Sequence, residues 1–209
     1  MPVVVTGVIE LKKALKAYAP DLLKELNAEV RTALKAVTDD ARSKVPDFAP
    51  GGLYNWQDDG REAKSRTSRD RGFPKYNSLL VRRGLTYSLG NSKVNSRGFR
   101  AAYSLLNKSA VGAIVETAGR KSGIKGSGDS QSNNPDAGRR FVGAMNGIGP
   151  LKQYDKYEKG RGRLLFAAYA DNQGKALDAV MKAINKATIE FNKRSRTHNE
   201  RASAYGNVT

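Results

Sequence analysis

The chain has no cysteine, one histidine and one tryptophan, and aromatic residues make up only 8% of it. Without cysteine there are no disulfides, no thiolate chemistry and no cysteine-based zinc site. Stability has to come from packing and assembly. No run of about 18 apolar residues occurs, so nothing in the sequence reads as spanning a bilayer. The start Met1-Pro2-Val3-Val4-Val5 is too short and uncharged for a signal peptide, and the expected place of synthesis is the cytoplasm.

Catalytic parts are scarce. His198 lies in a polar C-terminal stretch with no nucleophile or carboxylate grouped around it, so it reads as a solvent-exposed residue. The pairs Asp39-Asp40 and Asp58-Asp59 lack the ligand spacing of a calcium loop and read as surface or helix-end charge. The glycines of Gly119 to Gly128 do not form a phosphate loop, because no Gly-x-x-x-x-Gly-Lys-Ser/Thr lies between a strand and a helix there. No cofactor, no metal and no enzymatic activity are expected.

Positive charge is abundant. Thirty-seven Lys and Arg against 20 Asp and Glu leave a formal +17, a surplus that attracts nucleic acid, acidic protein surfaces or anionic lipid. It is concentrated in the middle of the chain: from Arg61 to Arg100 only Glu62 and Asp70 oppose the bases. Arg66, Arg69, Arg71, Arg82, Arg83, Arg97, Arg100, Arg120, Arg139 and Arg140 are the candidate residues facing DNA or an acidic partner.

Hydrophobic spacing predicts the framework. Val8, Leu11, Leu15 and Tyr18 step by three and four, giving a short helix over Gly7 to Tyr18 that Thr6 can cap. Leu23, Leu26, Val30, Leu34, Val37, Ala41 and Val45 extend the same spacing over a long helix, which Pro20 suits at its first turn and Pro46 stops. The stripe Leu23, Leu26, Val30, Leu34 and Val37 must be covered, as core or as a subunit interface.

Val3 to Val5 is a candidate edge strand, and alternation predicts further strands over Leu79 to Leu89, Phe99 to Leu105 and Ala110 to Ala118, the last two as an antiparallel hairpin. Arg140 to Met145 reads as a short strand or turn, and Asn146 to Arg163 as irregular. A last helix is expected over Leu164 to Asn192, broken or bent at Gly174. The expected fold is a single α+β domain over residues 1–209. A small antiparallel sheet of three or four strands packs on the long N-terminal helix, followed by a C-terminal helix. A flexible basic arm (about 55–78), a long loop (about 119–163) and a frayed tail (about 195–209) complete it.

The order of parts resembles a known family. The signature consists of Val5-Thr6-Gly7-Val8 with Leu11 and Leu15, a long helix closing on Ala41-Arg42-Ser43-Lys44-Val45-Pro46, an arginine-rich stretch, Val115-Glu116-Thr117-Ala118-Gly119, and a helix after Leu164-Leu165-Phe166-Ala167-Ala168. Together these resemble the small tail-completion or neck proteins of long-tailed bacteriophages, with Gly7, Ala41, Arg42, Pro46, Glu116 and Gly119 matching the recurrent pattern. Residues 120–163 depart from it. Family members reach the final helix through a shorter loop with an Arg-Pro-Phe-Leu-like turn, a role for which Arg140-Phe141 and Leu164-Leu165-Phe166 compete here.

The resemblance implies a structural subunit of the virion neck, made in the bacterial cytoplasm and assembled as a ring around the DNA channel, a hexamer ahead of a dodecamer. Its partners would be copies of itself, neighbouring head-completion and tail-terminator proteins, and packaged DNA, with no membrane. The alternative from the charge alone is a stand-alone basic nucleic-acid-binding protein.

Overall fold

The computed structural model describes residues 7–58, 74–119, 136–149, 151–153 and 161–206. Val3 to Val5, Thr6, Asp59, Arg66, Arg69, Arg71 and Arg120 lie outside the described residues, as do residues 59–73 of the expected arm and 120–135, 150 and 154–160 of the expected long loop; the described rest of that loop is not irregular but carries a helix and two short strands. Most of what is described is helical, with a minor strand content, so the fold is α+β.

Helix α1 (Val8–Tyr18) leads into α2 (Pro20–Ser43), as the hydrophobic spacing predicts. At ~1.5 Å per residue α2 runs to roughly 36 Å. It ends two residues earlier than expected, and the Val45 N–H then donates back to the Arg42 carbonyl at 3.2 Å before Pro46. Two short 3-10 turns follow, Pro50–Gly52 and Tyr54–Trp56.

Three expected strands are corrected. Ser78–Gly84 forms helix α3, started by the Asn77 side chain, which accepts from the Leu80 N–H at 3.1 Å, so that only Leu85–Ser88 remains as strand β1. Of Phe99 to Leu105 only the end is a strand, β2 (Ser104–Asn107), paired with β1. The expected partner of the hairpin, Ala110 to Ala118, is helix α4 (Ala110–Thr117). The Ser109 hydroxyl caps it by accepting from the Gly112 N–H at 3.1 Å. A short apolar run fits either period. Here the buried residues are Val111, Gly112, Val115 and Glu116, one helical face, whereas Ala113 is exposed.

Arg140 to Met145 belongs to helix α5 (Ala137–Asn146), which buries Met145 and leaves Arg139 and Arg140 outside. Within the stretch expected to be irregular, β3 (Lys152–Gln153) and β4 (Arg161–Gly162) pair antiparallel, Lys152 opposite Gly162. Helix α6 (Leu165–Gly206) then runs without interruption through Gly174 and through most of the tail expected to fray. The ~1 kcal/mol that an internal glycine costs is small beside the burial of Ala168, Ala176, Ala183, Ala187 and Phe191 along the same helix. The described strands thus form two separate pairs in place of one sheet of three or four.

The chain divides into two compact units, residues 1–36, 88–104 and 174–209 in the first and residues 37–87 and 105–173 in the second. The first unit is a helical assembly. Leu11 and Leu15 of α1, Leu22, Leu26, Val30, Ala33 and Leu34 of α2, and Ala176, Ala183, Ala187 and Phe191 of α6 are among its buried residues, with Ala19 between the first two helices. Leu22 and Leu26 share a narrow crevice with Ala183 and Ala187, whose small side chains let the helices approach closely. The second unit buries Val37, Ala41, Val45, Trp56, Tyr76, Val81, Leu85, Val111, Val115, Met145, Leu164, Ala167 and Ala168.

The long-helix stripe is therefore core. Leu26, Val30, Leu34 and Val37, which the sequence leaves open as core or interface, are buried within the chain itself. Only Leu23 is half-exposed, in an open groove with Pro20, Lys24, Asn27, Ala28 and Arg31.

Candidate interaction surface

The pattern residues of the second unit sit at its joints. At the end of α2, Ala41 is fully buried, and Arg42 donates to the Leu85 carbonyl through Nη2 at 2.9 Å and to the Arg82 carbonyl through Nε at 3.2 Å. A cation thus meets the carbonyls that end α3. Arg82 answers by donating from Nη2 to the Val45 carbonyl and to Asp47 Oδ1, each at 2.7 Å. Each arginine grips the chain next to the other. The Pro46 carbonyl accepts a hydrogen bond from the Tyr76 hydroxyl, whose pKa burial pushes up to about 12, so it remains a donor throughout the physiological range.

Glu116 is 3% exposed, and its carboxylate closes the N-terminus of α6 from a distance of nearly fifty residues. Oε2 accepts from the N–H groups of Leu164 at 3.2 Å and Leu165 at 2.8 Å, and Oε1 from Phe166 at 2.9 Å. Three otherwise orphaned donors and the positive end of the helix dipole meet one negative charge. A Cβ on Gly162 would collide with that carboxylate and with the Phe166 ring, so only glycine allows this approach. Of the two stretches competing to lead into the last helix, Leu164-Leu165-Phe166 does so.

Beside it Arg163, also 3% exposed, donates to the carbonyls of Ala118 (2.5 Å) and Gly149 (3.1 Å) and to Asn146 Oδ1 (2.7 Å). Burial lowers its pKa and the Glu116 charge opposes that shift. Gly119 ends α4 at φ 79°, and a Cβ there would come within 2.7 Å of Val142 Cγ1. Gly7 precedes α1 as its N-cap, exposed and without a side chain to bond.

The expected basic arm is anchored at both roots. Trp56 and Tyr76 are buried with ring centroids 5.1 Å apart, Trp56 meets Phe141 edge-on at the same separation, and its Nε1 donates to the Pro74 carbonyl at 2.7 Å. Main-chain bonds between Trp56, Asp58 and Tyr76 close the clasp, so residues 55–58 and 74–78 belong to the folded unit and not to an arm.

The candidate arginines separate into two groups. Arg82 serves the joint just described. Arg83, Arg97, Arg100, Arg139 and Arg140 are exposed, with Arg139 paired to Asp136 at 3.1 Å and Arg100, among the described residues, bonded through its Nε alone. Arg97 and Arg100 share a loop in the first unit, residues 89–103, with Lys93 and no acidic residue.

The tip of that loop is shaped by its own bonds. Asn95 Oδ1 accepts from the N–H groups of Arg97 (3.0 Å) and Phe99 (2.9 Å), the Asn95 N–H donates to the Phe99 carbonyl at 2.9 Å, and Gly98 turns the chain at φ 80°. Below it Ser92 and Ala101 pair through main-chain and side-chain bonds. At the base the Lys12 ammonium of α1 donates to the Leu89 and Ala102 carbonyls, at 2.6 and 3.0 Å, and to Asn91 Oδ1 at 3.2 Å. It also lies 4.4 Å from the Tyr103 ring centroid. Burial lowers its pKa and raises that of the Tyr103 hydroxyl. The result is a pinned loop with Phe99 71% and Val94 60% exposed among cations.

Sequence reasoning missed Lys12, Arg163 and the Trp56 clasp. Arg163 carried a signal in its place between Gly162 and the apolar run Leu164 to Ala168, whereas Lys12 carried none, since nothing local marks its acceptors 77 to 90 residues away. His198 is exposed on α6. Asp39 pairs with Arg42, Asp40 with Lys44, and Asp58 accepts from Asn77 Nδ2. Among the described residues no group of three or more His, Cys, Asp or Glu is placed to hold a metal ion, and no helix is long and apolar enough to cross a membrane. Comparison with known family models, curated proteins and solved structures finds no match.

Proposed function

We propose that this chain is a structural protein of a bacteriophage neck, a tail-completion or head-tail connector subunit that acts by protein contact and positive potential. The observation that carries the reading is the place of the shared pattern. Ala41, Arg42, Pro46, Glu116 and Gly119, which match the neck-protein signature, are frame-holding residues, so the likeness concerns how the subunit is built.

The subunit works as a ring around the DNA channel, a hexamer ahead of a dodecamer, between head-completion and tail-terminator neighbours. Because the α2 stripe is already covered, the ring contact falls elsewhere, and the exposed Leu177, Met181 and Ile189 of α6 supply apolar surface for it. Disrupting the coding sequence in the replicon that carries it tests the reading. Filled heads and detached tails accumulating side by side are expected, and complete infectious particles without the chain would overturn it. The alternative, a stand-alone nucleic-acid-binding protein, is separated by titrating duplex DNA at about 150 mM salt, where the Debye length is ~8 Å. Tight binding by the monomer there favours the alternative.

A further inference from the structure

We infer that the loop 89–103 is a docking surface for single-stranded nucleic acid, with Lys93, Arg97 and Arg100 on phosphates and Phe99 stacked on an unpaired base. Three observations meet there. The loop carries cations and no acid, in a chain of net charge +17. Arg97 and Lys93 have no bonding partner among the described residues, and Arg100 spends only Nε on the Ser92 carbonyl, leaving both Nη groups for a phosphate. Phe99, between two arginines, turns an aromatic ring to solvent where a folded chain gains nothing from it.

The shape of the loop favours binding as well. Asn95 holds the main chain of Arg97 and Phe99, Ser92 holds the arms, and Lys12 holds the base, so little conformational freedom is left to lose when a ligand orders the tip. An acidic protein partner fits less well. A stable protein interface takes about 20–30 residues from each side, whereas this loop offers a handful at its tip. A strand of a few nucleotides needs no more than three cations and one ring. A duplex offers phosphates but no free base face, which leaves Phe99 unused.

Fluorescence anisotropy of the full chain with a labelled oligothymidylate of about 12 nucleotides, at about 50 and 150 mM salt, tests this. Binding that weakens with salt is expected. The double variant Arg97→Ala/Arg100→Ala should bind more weakly with a salt slope reduced by about 1.4, since each single-strand phosphate contact contributes ~0.7. Phe99→Ala should lose about 5- to 100-fold in affinity with the slope unchanged, the signature of stacking without charge. Phe99→Trp should bind as the parent does and show fluorescence quenching by the strand, which the parent's buried Trp56 does not. All three positions are exposed, and unchanged circular dichroism verifies that each variant is folded.

Equal affinity of the parent and the Phe99→Ala chain, or no binding at low salt, overturns the inference. So does displacement of the strand by a polyglutamate at the same charge concentration, which would assign the loop to an acidic protein surface. The inference does not rest on the neck reading, because the disruption phenotype and the strand titration fail independently.

Discussion

Between α2 and α6 of the first unit the paired charges lie at the surface, whereas at the helix joints of the second the main charges are buried. In the first, Lys186 bridges Glu25 and Glu29 at 2.6 and 2.8 Å, and Arg194 meets Asp21 at 2.7 Å, all between α6 and α2 and all substantially exposed. In the second, Glu116 and Arg163 are both almost wholly buried, and nearly all of their bonding capacity goes to main-chain groups at the ends of α4, α5 and α6. The first arrangement decorates helices that an apolar stripe already holds. The second substitutes for a stripe, because short helices and two-residue strands have too little apolar surface to fix their own directions.

The largest effect is therefore expected at Glu116. Glu116→Ala leaves the N–H groups of Leu164, Leu165 and Phe166 unsatisfied and removes the charge that offsets the burial of Arg163, and breaking such a buried constellation costs about 3–5 kcal/mol. Urea denaturation with a probe in the second unit, the fluorescence of Trp56, measures it. Gly162→Ala should approach the same loss with the carboxylate still present, because the added methyl displaces it. If Gly162→Ala is neutral, the approach of Glu116 to the helix is not what holds that corner, and the contrast between the units fails.

Next comes Leu26→Ala in the first unit, where a 2% exposed side chain is replaced by a cavity between α2 and α6. A loss of about 2–5 kcal/mol is expected from transfer and cavity terms. Unchanged Tm with failed self-association would move the stripe from core to interface. Lys186→Ala, three residues from the buried Ala183, should by contrast change Tm little, and the change should vanish in about 0.5 M salt, where exposed ion pairs are screened.

The same contrast explains which parts of the molecule could be read in advance. Helices α1 and α2 were legible because their cohesion is periodic, and Leu11, Leu15, Leu26 and Val30 announce themselves every three or four residues. The strand assigned to Ala110 to Ala118 failed because so short a run does not distinguish the two periods when Val111 and Val115 satisfy both. The cap on Ser109 decided it, a single hydroxyl whose weight is known only once Gly112 is seen to donate to it. The resemblance singled out Glu116, Arg42 and Pro46 but gave no role for them, since their partners lie tens of residues away in sequence. Of the candidate arginines, the sequence could not separate Arg82 from Arg83. One points to the Val45 carbonyl and the other to solvent, a matter of helical phase in α3.

The smallest expected effect concerns Asp171, which ties the second unit's Lys44 and Lys152 at 3.0 and 2.7 Å. Hydrogen bonds from Lys152 and then Lys44 hold its carboxyl below the ordinary value of 3.8. A depressed carboxylate pKa means that the unfolded chain takes up the proton first as pH falls. The contribution to stability is thus present above the unfolded value and disappears as pH drops through the folded one. On the Lys44 side, burial pulls the ammonium pKa down, but Asp171 and Asp40 outweigh it and raise it, so the cation stays charged through the whole acid window. Because the Asp171 side chain is 35% exposed and its ion pairs are screened by solvent, the contribution amounts to less than about 1 kcal/mol. Asp171→Asn should leave Tm nearly unchanged at pH 7 and flatten its dependence on pH below about 4. The steeper part of the acid limb, if it belongs to the buried charges, should survive that substitution. Loss of the whole limb in the Asp171→Asn chain would place the pH-sensitive electrostatics of the second unit on its surface, where those of the first unit already are.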